Sequence, residues 1–190
     1  AAAGLALEEG DLHQVDALMK IAAERAAEVP ENQRRNFAAA SAITRLYYGR
    51  VHGDPGEAMA AMKDAIAEPW DRHMAIEVRA VAVANLGIAE LWVGDLDAAT
   101  LNLEDGRSLA TAAANDYLLM HAQAWLALVH LASGRLIESN RAADSALTVA
   151  ARRGWLLDTQ VAAAHLARAG VMTEWNDLPR ARGAAADARD

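Results

Sequence analysis

A short turn motif recurs five times along the chain at nearly constant spacing, and it constrains the fold more than any other feature. It stands in the segments EEGDL, VHGDP, WVGDL, ASGRL and EWNDL, which centre on Gly10, Gly53, Gly94, Gly134 and Asn176. Successive turns are 43, 41, 40 and 42 residues apart. One turn per period of this length is typical of stacked helical repeats rather than of a single closed globule. Such stacks present a long inner face instead of enclosing one active-site pocket.

Each turn separates two stretches that we predict to be helical. Alanine, which has the highest helix propensity, makes up about a quarter of the chain, whereas aromatic residues make up 5%. β-branched residues are scattered, and no segment shows the alternation of a strand. The predicted second helices of the repeats are 12–28, 55–68, 96–114, 136–153 and 178–189, and the predicted first helices are 33–51, 73–92, 117–132 and 157–175, with the end of an opening one at 1–9. The sequence therefore predicts an all-α fold.

The residues of the turn motif suit a helix stop followed by a helix start. Glycine accepts the left-handed conformation in which many helices end, and Asn176 is the next most tolerant residue. An aspartate follows four of the five turn residues and can cap the next helix through its side-chain oxygen. Arg135 takes that place in the fourth turn, so we expect no side-chain cap there.

Charge and composition argue against several classes of partner. The net charge is −8 and the isoelectric point about 5.2, whereas nucleic-acid binders usually carry a basic patch. Basic pairs such as Arg34–Arg35 and Arg152–Arg153 are better explained as solvated helix ends. We therefore expect no direct contact with nucleic acid by this segment.

The sequence also indicates whether the chain contacts a membrane and whether it belongs to a longer protein. No apolar run reaches the roughly 18 residues that a membrane span needs, and no basic leader begins the chain. The first residues lack an initiator methionine and enter a helix midway. We expect a single helical-repeat domain over residues 1–190, forming a piece of a longer cytoplasmic protein that does not contact a membrane.

The third repeat, NLGIAELWVGDLDAATLNLEDG, resembles a tetratricopeptide repeat. The resemblance rests on Leu86 and the small residue Gly87 in its first helix, the Gly94–Asp95 turn, and the small residue Ala99 in its second helix. It implies a right-handed superhelix of about five antiparallel helix pairs with a period of about 41 residues. The repeats are longer than the family's usual 34 residues, and most lack its closing proline.

The long period, the alanine richness and the phrase ALTVAARRGW at 146–155 resemble the helical-repeat region of MalT-like, large LuxR-type bacterial transcriptional activators. In such proteins an ATP-binding domain precedes the repeats and a helix-turn-helix domain follows them. This chain contains no GxxxxGK[ST] phosphate loop. The resemblance therefore implies only the sensing or interaction role for this segment.

Signals for catalysis or for a bound metal are lacking in the sequence. The chain has no cysteine, its six histidines form no HExxH motif, and no GxSxG elbow is present. His130 lies in the apolar stretch LALVHLA, which favours a core or groove-edge histidine over a metal ligand. We expect no enzyme activity, no metal and no cofactor.

A binding surface is the better candidate for a functional site. In tetratricopeptide-like stacks the first helices line the concave face, and the register from each turn places particular residues there. The predicted inward residues are Thr44, Tyr47 and Arg50, then Asn85, Ile88 and Trp92, then His121, Trp125 and Leu128, with Ala163, Leu166 and Glu174 in the last repeat. Aromatic groups with a few directed polar groups suit a sugar-like or amphipathic ligand, or a peptide. The alternative for Trp92 and Trp125 is that they fill gaps between helices.

A purely structural spacer that links ATPase and DNA-binding domains is one possible role, and two binding functions also remain open at this level. The first is a regulatory module of a LuxR-type activator that senses a small effector or a regulatory protein on its concave face. The second is a general protein-interaction scaffold, unrelated to transcription, that binds a peptide, a partner domain or a second copy of itself.

Overall fold

The computed structural model describes residues 12–52, 56–67 and 75–189, and these form a series of helices. The α-helices are α1 (Leu12–Glu24), α2 (Glu31–His52), α3 (Gly56–Ala67), α4 (Ile76–Val93), α5 (Leu96–Ala112), α6 (Asp116–Ala132), α7 (Leu136–Arg153), α8 (Ala162–Glu174) and α9 (Leu178–Asp187). Short 3₁₀ turns cover Ala26–Glu28 and Thr159–Val161. The predicted helix at 1–9 lies outside the described residues, and no strand occurs within them.

The helices pack as hairpins that stack side by side. The even-numbered helices are the first members of the pairs, and each packs on the second helix that follows it, α2 on α3, α4 on α5, α6 on α7 and α8 on α9. Neighbouring first helices also touch, in the order α2, α4, α6 and α8. Each of α3, α5 and α7 contacts the first helix after it. The first helices therefore form one continuous side of the stack, which we call the inner side.

The described turns within the pairs adopt the conformation that the sequence predicts. Gly94, Gly134 and Asn176 have φ angles of 83°, 72° and 57°, in the left-handed region. The carboxylate of Asp95 accepts a hydrogen bond from the Ala98 N–H at 3.2 Å, which caps α5. Asp177 caps α9 in the same way, whereas Arg135 supplies no side-chain cap to α7. The turns around Gly10 and Gly53 lie outside the described residues.

Small residues bring paired helices close together. A Cβ added to Gly87 in α4 would lie 2.8 Å from Leu103 Cγ and 3.0 Å from the Ala99 carbonyl oxygen of α5. In the next pair, the hydroxyl of the fully buried Ser139 donates a 2.8 Å hydrogen bond to the Ala127 carbonyl. Both contacts join the position seven residues before a turn to positions shortly after it. In both pairs a small residue seven positions before the turn meets one five positions after it, Gly87 with Ala99 and Ala127 with Ser139, and this allows the helices to pack closely.

A buried polar cluster joins the second repeat to the third. The Glu90 side chain in α4 is 1% exposed, and its Oε1 lies 3.1 Å from Lys63 Nζ in α3. Asn102 Nδ2 in α5 donates to the other carboxylate oxygen at 2.6 Å. A buried carboxylate needs such partners because burial removes its hydration. The Glu90 side chain therefore links the three helices α3, α4 and α5.

The sequence prediction fails at the junction between α7 and α8. It places a first helix over 157–175, but α8 begins only at Ala162. Residues 154–161 form instead a connector with a left-handed Gly154 and a 3₁₀ turn at Thr159–Val161. We call residues 154–161 the α7–α8 connector.

Candidate functional site

A cavity of about 470 Å³ lies on the inner side of the stack, where three successive first helices meet. The residues from α2, α4 and α6 are mostly three or four positions apart, so each helix contributes one face. The α7–α8 connector supplies two further residues. We call this the inner cavity, and it is lined by Ile43, Thr44, Tyr47, Ala80, Val81, Ala84, Asn85, Ile88, Tyr117, Leu118, His121, Trp125, Thr159 and Gln160.

Most of the predicted inward residues meet at this cavity. Those that line it are Thr44, Tyr47, Asn85, Ile88, His121 and Trp125. They come from three different helices, so the register measured from the turns places separate parts of the chain on one surface. Whether these side chains bind a ligand remains a prediction.

The other predicted residues lie elsewhere. Trp92 is 65% exposed at the end of α4, so it neither lines the cavity nor fills a gap between helices. Leu128 is half-buried against the core formed by α6, α7 and α8. Arg50 belongs to α2, and its side chain lies outside the described part of the structure.

The last repeat does not contribute to the cavity as predicted. Ala163 is buried in the core, whereas Leu166 and Glu174 are exposed on α8. Although α8 packs beside α6, the 3₁₀ turn of the α7–α8 connector also contacts α6. Its Thr159 and Gln160 close that end of the inner cavity.

Hydrogen bonds within the helices already use some polar groups of the cavity. The Thr44 hydroxyl donates to the Ala40 carbonyl at 2.9 Å. Asn85 is 7% exposed, and its Nδ2 donates to the Val81 carbonyl at 2.9 Å. A carboxamide also carries an acceptor oxygen and a second N–H, so Asn85 keeps hydrogen-bonding capacity for a ligand.

Trp125 gives the cavity an aromatic wall with an unused donor. The side chain is half-buried, and its indole N–H is buried without a hydrogen-bond partner among the described residues. Buried donors are usually paired, and an unpaired one costs roughly 1–3 kcal/mol. A ligand acceptor that reached this group would remove that cost.

The sequence reasoning missed the contribution of Tyr117 and of the connector. Tyr117 lies in the first turn of α6, and its hydroxyl donates to the Asp158 carboxylate, with 3.3 Å to each oxygen. Asp158 also accepts from the Gln160 N–H at 2.9 Å and so starts the 3₁₀ turn. The sequence did contain a signal for the connector. Gly154 can end a helix and Asp158 can cap the next one, and the four residues from one to the other make a longer connection than the two-residue turn motif does elsewhere.

A second cavity, of about 670 Å³, lies between α1, α2 and α3. Its walls are mostly alanine and other apolar side chains, and among the predicted residues Thr44 alone lines it. Among the described residues that line it, Phe37 is the single aromatic one, and none carries a carboxamide side chain. We therefore take the inner cavity as the candidate site, although it is the smaller of the two.

Two histidines outside the inner cavity have lowered pKa values: His130, which is buried, and His165, which is partly buried. Burial lowers the pKa of His130 below its ordinary value of 6.5, and the positive charge of Arg135 lowers it further. Burial also lowers the pKa of His165, against the opposing effect of Asp187. Desolvation disfavours the charged imidazolium, so both side chains favour the neutral form. His130 is 9% exposed, which agrees with the core position that its apolar surroundings predict.

Two other kinds of site are absent from the described part of the chain. Across residues 12–52, 56–67 and 75–189, no three His, Cys, Asp or Glu side chains are grouped so that they could hold a metal ion. None of the helices described is both long enough and apolar enough to span a membrane.

Comparison with known proteins bears on the fold. No protein-family model matches the chain, and no curated protein matches it. The chain is similar to the crystal structure of a Podosopora anserina protein described as a kinesin light chain with nearly identical TPR-like repeats. The two superpose with a TM-score of 0.67 at 16% sequence identity, over 98% of this chain and 90% of the other. The chain therefore has the tetratricopeptide-like helical-repeat fold that its sequence predicts.

Proposed function

We propose that the chain is a protein-interaction module that binds a segment of another protein in the inner cavity. The observation that carries this proposal is the convergence of Tyr47, Asn85 and Trp125 from three separate helices on one cavity. Cavities that combine aromatic walls with a few directed polar groups are typical of ligand sites. Similarity to a stack of TPR-like repeats supports an interaction role over catalysis.

A peptide array with a pair of matched variants tests this proposal. Fluorescently labelled chain is applied to random 12-residue peptides, and hits are measured by fluorescence polarisation. Tyr47 lines the inner cavity, whereas its neighbour Tyr48 is equally half-buried and lines neither cavity. We expect Tyr47→Ala to weaken binding at least tenfold and Tyr48→Ala to leave it nearly unchanged.

Two results would count against an interaction at this site. One is the absence of any bound peptide. The other is an equal loss of binding in both tyrosine variants, since that would trace the effect to general destabilisation of α2.

A small effector is the second candidate ligand, and the size of the cavity favours it. A volume of about 470 Å³ falls within the range of small-molecule sites, roughly 300–1,000 Å³. In this version the chain is the sensing module of a LuxR-type activator. That attribution rests on the sequence resemblance and receives no support from the comparisons.

Metabolite titration distinguishes the small effector from a protein partner. A ligand that binds the folded chain raises its Tm by mass action, and one that enters the inner cavity changes the fluorescence of Trp125. The change in fluorescence should disappear in Trp125→Phe. No rise in Tm across a broad metabolite set would leave the protein partner as the better candidate.

A further inference from the structure

The α7–α8 connector exposes two leucines at the tip of a tight turn. The Asp158 N–H donates to the Trp155 carbonyl at 2.9 Å, which closes a four-residue turn with Leu156 and Leu157 at its centre. These side chains are 46% and 83% exposed. Central turn positions usually carry glycine, proline, asparagine, aspartate or serine. We call residues 155–158 the leucine turn.

Packing on Tyr117 holds both ends of the leucine turn. The Trp155 ring meets the Tyr117 ring edge-on, with centroids 5.4 Å apart and planes at 81°. At the other end, Asp158 accepts the hydrogen bond from the Tyr117 hydroxyl. The leucines are therefore displayed by an anchored turn, and a partner that packs on them loses little free energy to ordering it.

The leucine turn adjoins the inner cavity. Thr159, which follows it directly, lines the cavity, as do Gln160 and Tyr117. Leu157 is two residues from Thr159, so their Cα atoms lie at most about 7 Å apart. Alternate side chains of an extended peptide are separated by a similar distance, about 6.6 Å. One extended segment can thus reach both surfaces.

The cavity wall discriminates against charged groups. No Asp, Glu, Lys or Arg is among the described residues that line it. The nearby Asp158 carboxylate already accepts two hydrogen bonds within the protein, from Tyr117 and from the Gln160 N–H. A charged side chain that entered the cavity would lose its hydration without meeting an opposite charge.

We propose that the leucine turn and the inner cavity together bind an uncharged, extended segment of a partner protein. A large apolar side chain of that segment enters the cavity, and another, two or four positions away, packs on Leu156 and Leu157. This inference rests on the proposed interaction function and names the chemistry of its partner. An acidic or basic tail does not fit the surface.

The peptide array can test the inference with a second pair of variants. Leu157 and Leu101 are both strongly exposed, at 83% and 73%, but Leu101 lies on α5 and lines neither cavity. Because both side chains are exposed, Leu157→Asp and Leu101→Asp should keep the parent Tm while changing the net charge equally. We expect bound 12-residue peptides to be enriched in uncharged windows with two apolar residues two or four positions apart. Leu157→Asp should weaken them at least tenfold, and Leu101→Asp should not.

The outcomes separate this inference from the proposed function. Bound peptides dominated by clusters of Asp and Glu, or of Lys and Arg, would overturn the inference even if Tyr47→Ala abolished their binding. Equal affinity in Leu157→Asp and the parent chain would overturn it as well. Failure of every peptide to bind would instead remove the proposed interaction function.

Discussion

Replacing Lys63 with methionine is expected to cost more stability than replacing its partner Glu90 with glutamine, although Lys63 is the more exposed of the two. Their side chains are 50% and 1% exposed. Without Lys63, the Glu90 carboxylate stays buried with Asn102 as its remaining partner. Without the carboxylate, the Lys63 ammonium can turn into water. The cost of each substitution is set by the charge that it leaves behind.

The structure allows both costs to be worked out. Removal of one partner from a fully buried ion pair destabilises by roughly 3–5 kcal/mol. Lys63 is half-exposed and Asn102 still donates to Glu90, so Lys63→Met belongs at the lower end of this range, about 3 kcal/mol. Glu90→Gln keeps an acceptor oxygen for Asn102 and loses mainly the charge contribution, about 1 kcal/mol. For a domain of this size each kcal/mol shifts Tm by roughly 2–4 °C. We expect Tm to fall by roughly 6–12 °C and 2–4 °C respectively.

Thermal unfolding followed by far-UV circular dichroism measures both changes. Lys20→Met is the matched control, because Lys20 pairs with Asp16 at 2.8 Å on the surface of α1, where the two side chains are 72% and 45% exposed. An exposed pair of this kind should contribute no measurable change in Tm. A larger loss in Glu90→Gln than in Lys63→Met would refute the reasoning that desolvation of the carboxylate dominates.

Two further predictions concern packing and pH. Gly87→Ala should destabilise by about 1 kcal/mol, because overpacking against Leu103 exceeds the gain in helix propensity, whereas Gly183→Ala, with nothing within 4 Å, should stabilise by up to about 1 kcal/mol. Urea unfolding measures both free energies of unfolding, and a change of the same sign in the two variants would contradict this prediction. Because burial and Arg135 lower the pKa of folded His130, the unfolded chain binds the proton more tightly, so stability present above pH 6.5 is lost as pH falls. When pH is lowered from about 7.5 to 5.5, the His130→Gln variant should lose less unfolding free energy than the parent chain does. An equal loss in both would mean that other groups cause the pH dependence.

Features that depend on consecutive residues could be predicted from the sequence. The stops at Gly94, Gly134 and Asn176, the caps at Asp95 and Asp177 and the missing cap at Arg135 all agree with the structure. Turn and cap conformations depend on the residue that adopts them and on its nearest neighbours, so local chemistry is enough. The regular spacing of the turns then fixed the register of the first helices.

That register is also why most of the inner cavity could be predicted. Thr44, Asn85 and Trp125 each stand nine residues before their turns, and this common offset carries them to the same side of the stack. Trp92 shows the limit of this argument. It lies two residues before its turn, at the very end of α4, where no neighbouring helix covers it.

The tertiary structure alone decided which polar groups are buried and which apolar ones are exposed. Glu90 stands four residues before a turn, like any solvated glutamate near a helix end, and its burial depends on Lys63 and Asn102, which are 27 and 12 residues away in the sequence. The leucine turn is likewise anchored by a distant residue, because the Tyr117 hydroxyl meets Asp158 across 41 residues. Local sequence determines where helices begin and end, since those choices involve adjacent residues. Burial is set by distant neighbours, so the buried Glu90 cluster and the exposed leucine turn could not be predicted from local sequence.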